Sequence, residues 1–327
     1  MALPQLVMKA PSRIHPFDDP KIVYPQFASI KYDGFRLLNL CGESFLSPAL
    51  KPFPNVNLHL KFKDFWTYCQ AQRIVTDGEI WSPDLTFQQL QSVMRSRFAE
   101  IPDSVGYYVF DMLPEDVWNN IDPCNPYLLR YATYQNRIKD YYPGITPVLQ
   151  MPVTCADQAQ VLFENAIADG HEGLILRNPN FGYKHNRCTA NENGMWKFKQ
   201  FETHDAIIIR VNQMKGLRED VVRTLDPISA LTARIYTQDS FQPVEAVGSF
   251  TVLYHGQEVS ISPGRGFTHQ DRQQWWLDYQ KDPTTLLGKW IEFKFMPHGT
   301  MDRPRHGSLV RFRPDKDGPS IMLGVVS

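Results

Sequence analysis

The pattern of apolar residues changes near residue 200, and this change divides the chain into two parts that cannot share one architecture. Before it, β-rich runs at residues 27–30 and 36–40 alternate with segments such as residues 86–97, which follow the spacing of a helix. Beyond it, the runs are almost all β-rich. A chain of 327 residues that is 43% hydrophobic can bury two cores. We therefore expect an α+β domain over residues 1–202 and a β-rich domain over residues 203–327.

Five β-rich runs and one helix make up the second part. The helix is expected to begin at Thr268, because Thr268 and Asp271 have the spacing of a capping box, and it carries Trp275, Trp276 and Tyr279. Five strands and one helix in a segment of this size are typical of a small barrel of the OB type. The expected strands are residues 206–211, 233–236, 248–253, 290–296 and 308–312.

The helix expected over residues 86–97 has one apolar face. Phe87, Leu90 and Met94 recur along it at helical spacing. We interpret them as core packing and assign them no chemical role.

The charge and the cysteines exclude several classes of protein. The formal net charge is -1 and the sequence pI is about 6.8, so any surface for nucleic acid must be local. The five cysteines are widely spaced and include no Cys-x-x-Cys pair, which argues against a disulfide framework and a zinc site. The N-terminus lacks the order of a signal peptide, and no apolar run is long enough for a membrane span. We expect a soluble, cytoplasmic monomer with no membrane partner.

Lys31 is placed where a nucleophile would be useful. It follows a β-rich run and precedes Asp33-Gly34, a turn signal, so its amine is expected to project from a strand end into a cleft. An amine attacks phosphorus only when it is neutral, so nearby cations or desolvation must favour that form. A surface turn beside a solvated lysine is the alternative for such a short pattern.

Five segments of the first part stand in one order: Lys-Tyr-Asp-Gly-Phe-Arg at residues 31–36, Asp-Gly-Glu-Ile at 77–80, Tyr-Val-Phe-Asp at 108–111, Glu-Gly-Leu-Ile-Leu-Arg at 172–177 and Trp-Lys-Phe-Lys at 196–199. With them the chain resembles the covalent nucleotidyltransferase superfamily and, within it, the ATP-dependent DNA ligases, most closely the small bacteriophage type. The resemblance covers nearly the whole chain. It implies an adenylation (nucleotidyltransferase) domain of antiparallel sheets with flanking helices, followed by a C-terminal OB-fold β-barrel.

The resemblance also implies which residues bind ATP and a divalent metal, Mg²⁺ or Mn²⁺. Glu172 would be a metal ligand, because a hard cation needs a carboxylate beside phosphate oxygens. Glu79 resembles the family's carboxylate on the ribose side and is a second candidate metal ligand. Lys197 and Lys199 differ by two residues and so share one face of a strand, and the family places them against the α-phosphate.

Three further residues are expected to bind the nucleotide. Phe110 resembles the aromatic residue that stacks on the base, although a core aromatic is the alternative interpretation. Ile30 and Arg36 flank Lys31 within the first segment and complete the nucleotide-binding set.

A second signature lies in the β-rich part. Residues 262–268 resemble the Gly-rich loop before the OB-domain helix of these ligases, and residues 305–316 resemble their last motif. The resemblance implies that Arg313, Asp315 and Lys316 orient the β,γ-phosphates of ATP, so that pyrophosphate leaves in line with the attacking lysine. A solvated barrel edge and a clamp on the DNA backbone are the alternatives for this basic stretch.

Two positions depart from the family's pattern. Ser29 stands where many ligases have a glutamate that meets the adenine amine, so base recognition is expected to use backbone groups of residues 28–30. Pro48 stands where the family has an arginine for the 5′-phosphate of the nick, and proline has no side-chain donor. Our hypothesis is that Lys51 or Arg73 replaces that arginine as a point charge.

The substrate implied by the resemblance is nicked duplex DNA. Lys31 would take AMP from ATP, pass it to the 5′-phosphate at the nick, and leave the 3′-hydroxyl to displace it. About 30 residues precede Lys31, too few for the domain with which NAD-dependent ligases recognise nicotinamide mononucleotide, so ATP is expected. We place Lys215, Arg218 and Arg223 in an irregular segment, where a solvated loop is the alternative. The full set of expected DNA contacts is Arg36, Lys51, Arg73, Lys215, Arg218 and Arg305.

Two other functions stay open from the sequence. An RNA ligase or a capping guanylyltransferase belongs to the same superfamily, although the Gly-rich loop and the last motif favour a DNA ligase. A non-catalytic nucleic-acid-binding protein could keep the fold and use its OB barrel alone. Pro48 is the feature that favours this second alternative.

Overall fold

Two compact units make up the chain. The computed structural model describes residues 6–119, 125–138, 141–219, 238–264, 266–296 and 304–316. The units divide between Gln200 and Phe201, two residues before the expected boundary. Each unit buries its own hydrophobic cluster or clusters. No helix within these ranges is long and apolar enough to cross a membrane.

The first unit contains two sheets. One has the strand order β7-β1-β8-β9 and is antiparallel throughout, and the other has the order β3-β2-β4-β5-β6, in which only β5 and β6 run parallel. The strands are β1 (Gln26–Lys31), β2 (Phe35–Leu40), β3 (Ser44–Leu46), β4 (Ile74–Trp81), β5 (Gly106–Pro114), β6 (Ile145–Pro147), β7 (Met151–Val153), β8 (Gly173–Arg177) and β9 (Met195–Lys199).

Helices flank these sheets, as the resemblance implies, and six of them lie in the part of this unit that the structure describes. They are α1 (Asn57–Lys61), α2 (Lys63–Gln72), α3 (Phe87–Arg95), α4 (Glu115–Trp118), α5 (Tyr127–Ile138) and α6 (Ala156–Ala168). The helix expected over residues 86–97 is α3, which begins after Thr86 and ends two residues early because Ser96 adopts an extended backbone. Its Leu90 and Met94 are buried in the core, and Phe87 stacks on Phe35 with ring centres 4.9 Å apart.

The second unit is built on one five-stranded antiparallel sheet with the order β12-β11-β10-β13-β14. One long helix packs on it, and its capping box is confirmed, because Thr268 accepts from Asp271 N and Asp271 accepts from Thr268 N. Trp275 packs against the core of this unit. The elements are β10 (Glu202–Leu217), β11 (Phe241–Tyr254), β12 (Gln257–Ile261), α7 (His269–Lys281), β13 (Trp290–Met296) and β14 (Arg305–Phe312).

The expected closed barrel is an open sheet in the described residues. Its two edge strands meet at one bridge, where Leu309 N donates to Ser262 O over 2.8 Å. One predicted strand, residues 233–236, lies outside the described residues. The strand Gln257–Ile261 was missed, because a run of only five residues with two acceptable β-formers gives a weak pattern.

Strands β10 and β11 extend past their neighbours as a two-stranded ribbon. Strand β13 pairs only with residues 202–207 of β10, and β12 pairs only with residues 250–254 of β11. Lys215 lies within this ribbon, so the irregular segment expected at that position is wrong. The segment was missed as a strand because polar residues interrupt its alternation of apolar residues. One of them, Asn212, donates hydrogen bonds from its side-chain amide to Ser249 and Thr251 across the ribbon.

Candidate active site

The register of one sheet brings three charged residues to the same edge. Lys31, the last residue of β1, pairs with Gly173, and Gly173 pairs with Lys199, the last residue of β9. Glu172 directly precedes β8 and therefore lies at this edge as well. Only glycine fits at position 173, because a Cβ there would lie 2.0 Å from the carbonyl oxygen of Phe198.

Glu172 bridges the two lysines. One carboxylate oxygen accepts a hydrogen bond from Lys31 and the other accepts one from Lys199. The Glu172 side chain is only 3% exposed, so water has little access to its carboxylate. The exposed part of this ion cluster consists mainly of the two lysine side chains. Burial alone would raise the pKa of Glu172, but the two ammonium groups hold it below its ordinary value. The carboxylate is therefore ionised and fixes the direction of both amines.

The electrostatics of Lys199 reflect its position beside Lys31 and Glu172. Burial and the positive charge of Lys31 lower the pKa of Lys199, and Glu172 opposes this effect. Lys197 lies on the same face of β9 and pairs in register with Ile175, two residues farther from the sheet edge. The prediction that these lysines share a face is confirmed.

A cavity of about 250 Å³ opens beside Lys31 and is lined by both sheets of the first unit. Phe110, Ile175 and Met195 give it an apolar wall suited to a planar ring. Polar and charged groups line the rest of the cavity, and they are Ser29, Lys31, Tyr32, Arg36, Glu79 and Arg177, with Ile30 between two of them.

Arg36 is held in this cavity by a buried carboxylate. Its Nε and Nη2 donate to the two oxygens of Asp77 over 2.8 and 2.6 Å, and Tyr183 donates to the same carboxylate over 2.9 Å. The guanidinium carbon of Arg36 lies 5.2 Å from the ring centre of Phe110. Asp77 therefore fixes Arg36 in the cavity wall, and the nucleotide-binding role of Arg36 stays a prediction.

A second buried carboxylate holds two arginines that sequence reasoning missed. Arg130 donates to Asp111 over 2.7 and 3.1 Å, and Arg177 donates to it over 2.8 Å. Burial alone would raise the pKa of Asp111, but these two guanidinium groups hold it below its ordinary value. The only sequence signal was the presence of charged residues inside strands and a helix that are otherwise apolar.

Replacement of Asp111 by asparagine should destabilise the protein strongly. The change leaves two buried guanidinium groups without a carboxylate, and breaking a buried ion pair in this way costs about 3–5 kcal/mol. Because the folded-state pKa of Asp111 is lowered, the stability that it contributes is present above about pH 4 and is lost as the pH falls through its folded value. Urea unfolding of the wild-type and Asp111→Asn proteins between pH 7 and pH 3 measures both effects. A decrease of less than about 1 kcal/mol in the free energy of unfolding at pH 7 would contradict the prediction.

Glu79 differs from the two buried carboxylates because no cation pairs with it directly among the described residues. It is half-buried in the cavity wall, next to Arg36 in the β2–β4 register. Burial raises the pKa of Glu79 to about 8, and the opposing attraction of Lys31 and Arg36 is too weak to restore the ordinary value. The carboxyl group of Glu79 is therefore available to a cation or to a hydroxyl group of a ligand bound in the cavity.

The two carboxylates predicted to bind a metal suit an ion that arrives with phosphates. Within the described ranges, no cluster of three or more His, Cys, Asp or Glu residues could hold a metal alone. Mg²⁺ is usually bound by one or two carboxylates together with substrate phosphates and water. Glu79, which lines the cavity, and Glu172, which contacts Lys31 at the cavity edge, fit that donor set.

The structure does not bring Arg73 to the site. Arg73 ends α2 with a left-handed backbone and pairs with Glu115. It precedes β4, whereas Glu79 lies near the other end of that strand, roughly 17 Å away at the usual rise per residue. This position gives no support to the hypothesis that Arg73 contacts the nick phosphate, which stays a prediction. Lys51 remains a candidate, because it is exposed and the chain leaves β3 toward the Arg36 end of β2.

The expected residues of the second unit form an ion network of their own. Arg313 bonds Asp205 over 3.1 Å and Asp315 over 2.8 Å, and Lys316 bonds Asp205 over 2.5 Å. The last motif thus gathers charges at one point of its unit, and its phosphate role stays a prediction. Lys215 is exposed on β10 and Arg218 follows that strand, while Arg223, Arg265 and the side chain of Arg305 lie outside the described residues.

Comparisons with known proteins agree on one family. The model for the ATP dependent DNA ligase domain matches residues 20–199, and the model for a DNA ligase OB-like domain matches residues 242–313. A DNA ligase of Natronomonas pharaonis is 25% identical over 236 residues, which are 67% of this chain and 39% of that protein. The chain thus spans well under half the length of this curated relative.

Solved structures share the fold. A structure described as Pmar-Lig_PreS3 superposes with a TM-score of 0.70 at 18% identity, covering 95% of this chain and 68% of that one. A structure from a study of Lig E DNA ligases, described as binding DNA with a minimal scaffold, has a TM-score of 0.64 at 20% identity and covers 96% of this chain and all of its own. At identities of 18% and 20%, the similarity shows that this chain and these structures share a fold, and no more than that.

Proposed function

The chain belongs to the ATP-dependent DNA ligase family, and from this premise we propose that it seals 3′-hydroxyl/5′-phosphate nicks in duplex DNA through an AMP group carried on Lys31. The observation that carries the proposal is the position of the amine of Lys31. It lies on the buried carboxylate of Glu172, beside Lys199 and at the edge of a cavity with an aromatic wall.

In the first step, Lys31 Nζ attacks the α-phosphorus of ATP. The N–P bond forms, the bond from the α-phosphorus to the bridging oxygen breaks, and pyrophosphate leaves with that electron pair. Lys31 must first give up a proton to water, because only the neutral amine attacks phosphorus. Lys199 and Lys197 would stabilise negative charge on the α-phosphate. Phe110 would stack on the base, and Glu79 would accept from a ribose hydroxyl.

In the next two steps, AMP passes to DNA and then leaves. A 5′-phosphate oxygen at the nick attacks the AMP phosphorus and displaces Lys31, which takes up a proton again. The 3′-hydroxyl then attacks the 5′-phosphorus and releases its proton to water; the phosphodiester bond forms, the bond from that phosphorus to AMP breaks, and AMP leaves with the electron pair. Lys51 is the candidate contact for the 5′-phosphate in place of the absent arginine at Pro48.

A divalent metal, Mg²⁺ or Mn²⁺, belongs to this proposal. Glu172 and Glu79 would hold it, and its chemistry would be to neutralise charge on the phosphates. Arg313, Asp315 and Lys316 would orient the leaving pyrophosphate, and Lys215 and Arg218 would contact the DNA backbone. A monomer in a reducing cytoplasm remains our prediction for its setting.

Labelling with radioactive nucleotide tests the proposal. The protein is mixed with Mg²⁺ and α-labelled ATP, and an acid-labile label on the protein is expected. A chase with nicked duplex DNA should remove the label and yield sealed strands. GTP and nicked RNA serve as parallel arms under the same conditions.

Each arm separates one alternative. Labelling from GTP alone would make the protein a guanylyltransferase, and sealing of RNA but not DNA would make it an RNA ligase. No label from either nucleotide would leave a non-catalytic nucleic-acid-binding protein.

A further inference from the structure

Residues 6–10 form a short segment that packs against the pair made by Arg36 and Asp77. Met8 N donates to the hydroxyl of Tyr183 over 3.1 Å, and that hydroxyl donates to the Asp77 carboxylate that holds Arg36. The apolar residues of the segment are buried in a core cluster of the first unit. The segment is therefore fixed near the wall of the cavity that Arg36 lines.

Lys9, in the middle of this segment, is bridged to Arg187 by a parallel backbone pairing. Lys9 N donates to Asn186 O over 2.9 Å, and Cys188 N donates to Lys9 O over 2.8 Å. Residues opposite each other in such a pairing project to the same face, so two cations lie side by side. Lys9 is half-buried and Arg187 is exposed. Arg187 donates to the carbonyl oxygen of Ala10, and neither cation forms an ion pair with a carboxylate among the described residues.

Positive charge exceeds negative charge at this point of the surface. Burial lowers the pKa of Lys9 below its ordinary value, and the charges of Arg36 and Arg187 lower it further, while Asp77 opposes them. Three cations thus share two carboxylates, of which Asp77 is engaged with Arg36 and Glu79 lies near it. An excess of cations attracts an anion, and it attracts an anion with two charges more strongly than an anion with one.

The loop that carries Pro48 packs on the same core cluster as the N-terminal segment. Leu46 and Leu50, on either side of Pro48, contact that cluster. Leu46 also pairs with Leu38, so the chain leaves β3 within two residues of the level of Arg36. The loop that lacks a cation thus shares its core cluster with the segment that supplies one.

Resting on the proposed function, we propose that Lys9 is a substrate-binding residue that contacts the 5′-phosphate at the nick, in place of the side-chain donor that Pro48 lacks. A terminal phosphate has a charge of about -1.5 to -2 at pH 7, whereas each phosphate of the DNA backbone has one negative charge. Arg36 lines the same cavity as Lys31, so a phosphate held beside Arg36 borders the AMP group that it attacks. Lys9 acts there as a point charge.

A contact with the DNA backbone is the alternative role for Lys9, and the exposed Lys51 is the alternative residue for the 5′-phosphate. Loss of a backbone contact weakens the binding of any nick, with or without a 5′-phosphate. Loss of a contact with the terminal phosphate weakens only the binding of a nick that carries this phosphate. Two nicks that differ in this one group therefore separate the roles.

The test measures the affinity of AMP-labelled protein for nicked duplexes that carry either a 5′-phosphate or a 5′-hydroxyl, with EDTA added after labelling to prevent sealing. A hydrogen bond to a charged group contributes enough that the wild-type protein should bind the 5′-phosphate nick about tenfold or more tightly than the other nick. The Lys9→Met variant, once labelled, should bind the two nicks with nearly equal affinity. Lys9→Arg should restore the preference, because it restores the charge.

Lys21→Met is the matched control. Lys21 is an exposed lysine that also precedes β1 and does not line the cavity, so its removal should leave the preference of the wild-type protein unchanged. Equal binding of the two nicks by the wild-type protein overturns the inference, whether or not Lys9→Met folds. A preference that persists in Lys9→Met also overturns it and favours Lys51, and an equal loss of affinity for both nicks overturns it in favour of a backbone contact. Failure of the wild-type protein to take label from ATP would instead overturn the proposed function.

Discussion

Replacement of Lys31 by arginine is expected to reduce transfer of AMP to the protein by roughly 10⁴-fold or more. Arginine stays protonated at any workable pH and has no free electron pair for attack on phosphorus. Its guanidinium can still pair with Glu172, which already accepts a hydrogen bond from residue 31. The fold and the carboxylate of Glu172 are therefore retained, while the amine expected to attack phosphorus is lost.

Labelling with α-labelled ATP measures this effect, and a nick that already carries AMP on its 5′-phosphate supplies the control. That substrate needs no amine at position 31, so the Lys31→Arg variant should still seal it. A variant that labels at the wild-type rate would show that another residue is the nucleophile. A variant that also fails on the pre-adenylated nick, although folded, would show a wider role for Lys31.

Replacement of Glu172 by glutamine is expected to slow labelling by about 10²- to 10³-fold. The change keeps the shape of the side chain but removes the charge that holds Lys31 and Lys199. Without it, the two ammonium groups repel each other, and the direction of the attacking amine is no longer fixed. A candidate metal ligand is lost at the same time.

Glu192→Gln is a matched control for this change. Glu192 pairs with Lys184 in the same unit, but this pair is about one-third exposed and does not line the cavity. Single-turnover labelling should be unchanged in Glu192→Gln. A Glu172→Gln variant that labels within threefold of the wild-type rate would show that the carboxylate has no part in the first step.

The features that the sequence predicted well depend on neighbours along the chain. The capping box at Thr268, the strand that ends at Lys31 and the shared face of Lys197 and Lys199 all follow from spacing within a few residues. Local hydrogen bonds and the two-residue repeat of a strand decide such features before any tertiary contact forms. This is why Lys31 could be placed at a strand end, and Lys197 and Lys199 on one strand face, in advance.

The features that were missed or wrong depend on distant parts of the chain. Arg130 and Arg177 meet at Asp111 across 19 and 66 residues, and no local pattern reports which carboxylate a buried arginine will find. Arg73 was chosen for its charge alone, whereas its backbone position puts it at the end of β4 that is remote from Glu79. Closure of a sheet likewise depends on the pairing of edge strands, which the alternation of residues does not specify.

The ribbon formed by the outer parts of β10 and β11 has a consequence for how the second unit opens. Over residues 214–217 and their partners 241–244, each strand has one hydrogen-bonded neighbour among the described residues, and a lone pair of strands is only marginally stable in water. Its backbone amides should therefore exchange with solvent through local fraying, at a free energy well below that of global unfolding. The exposed Lys215 is thus displayed on an element that can bend or separate while the five-stranded sheet beneath it stays folded.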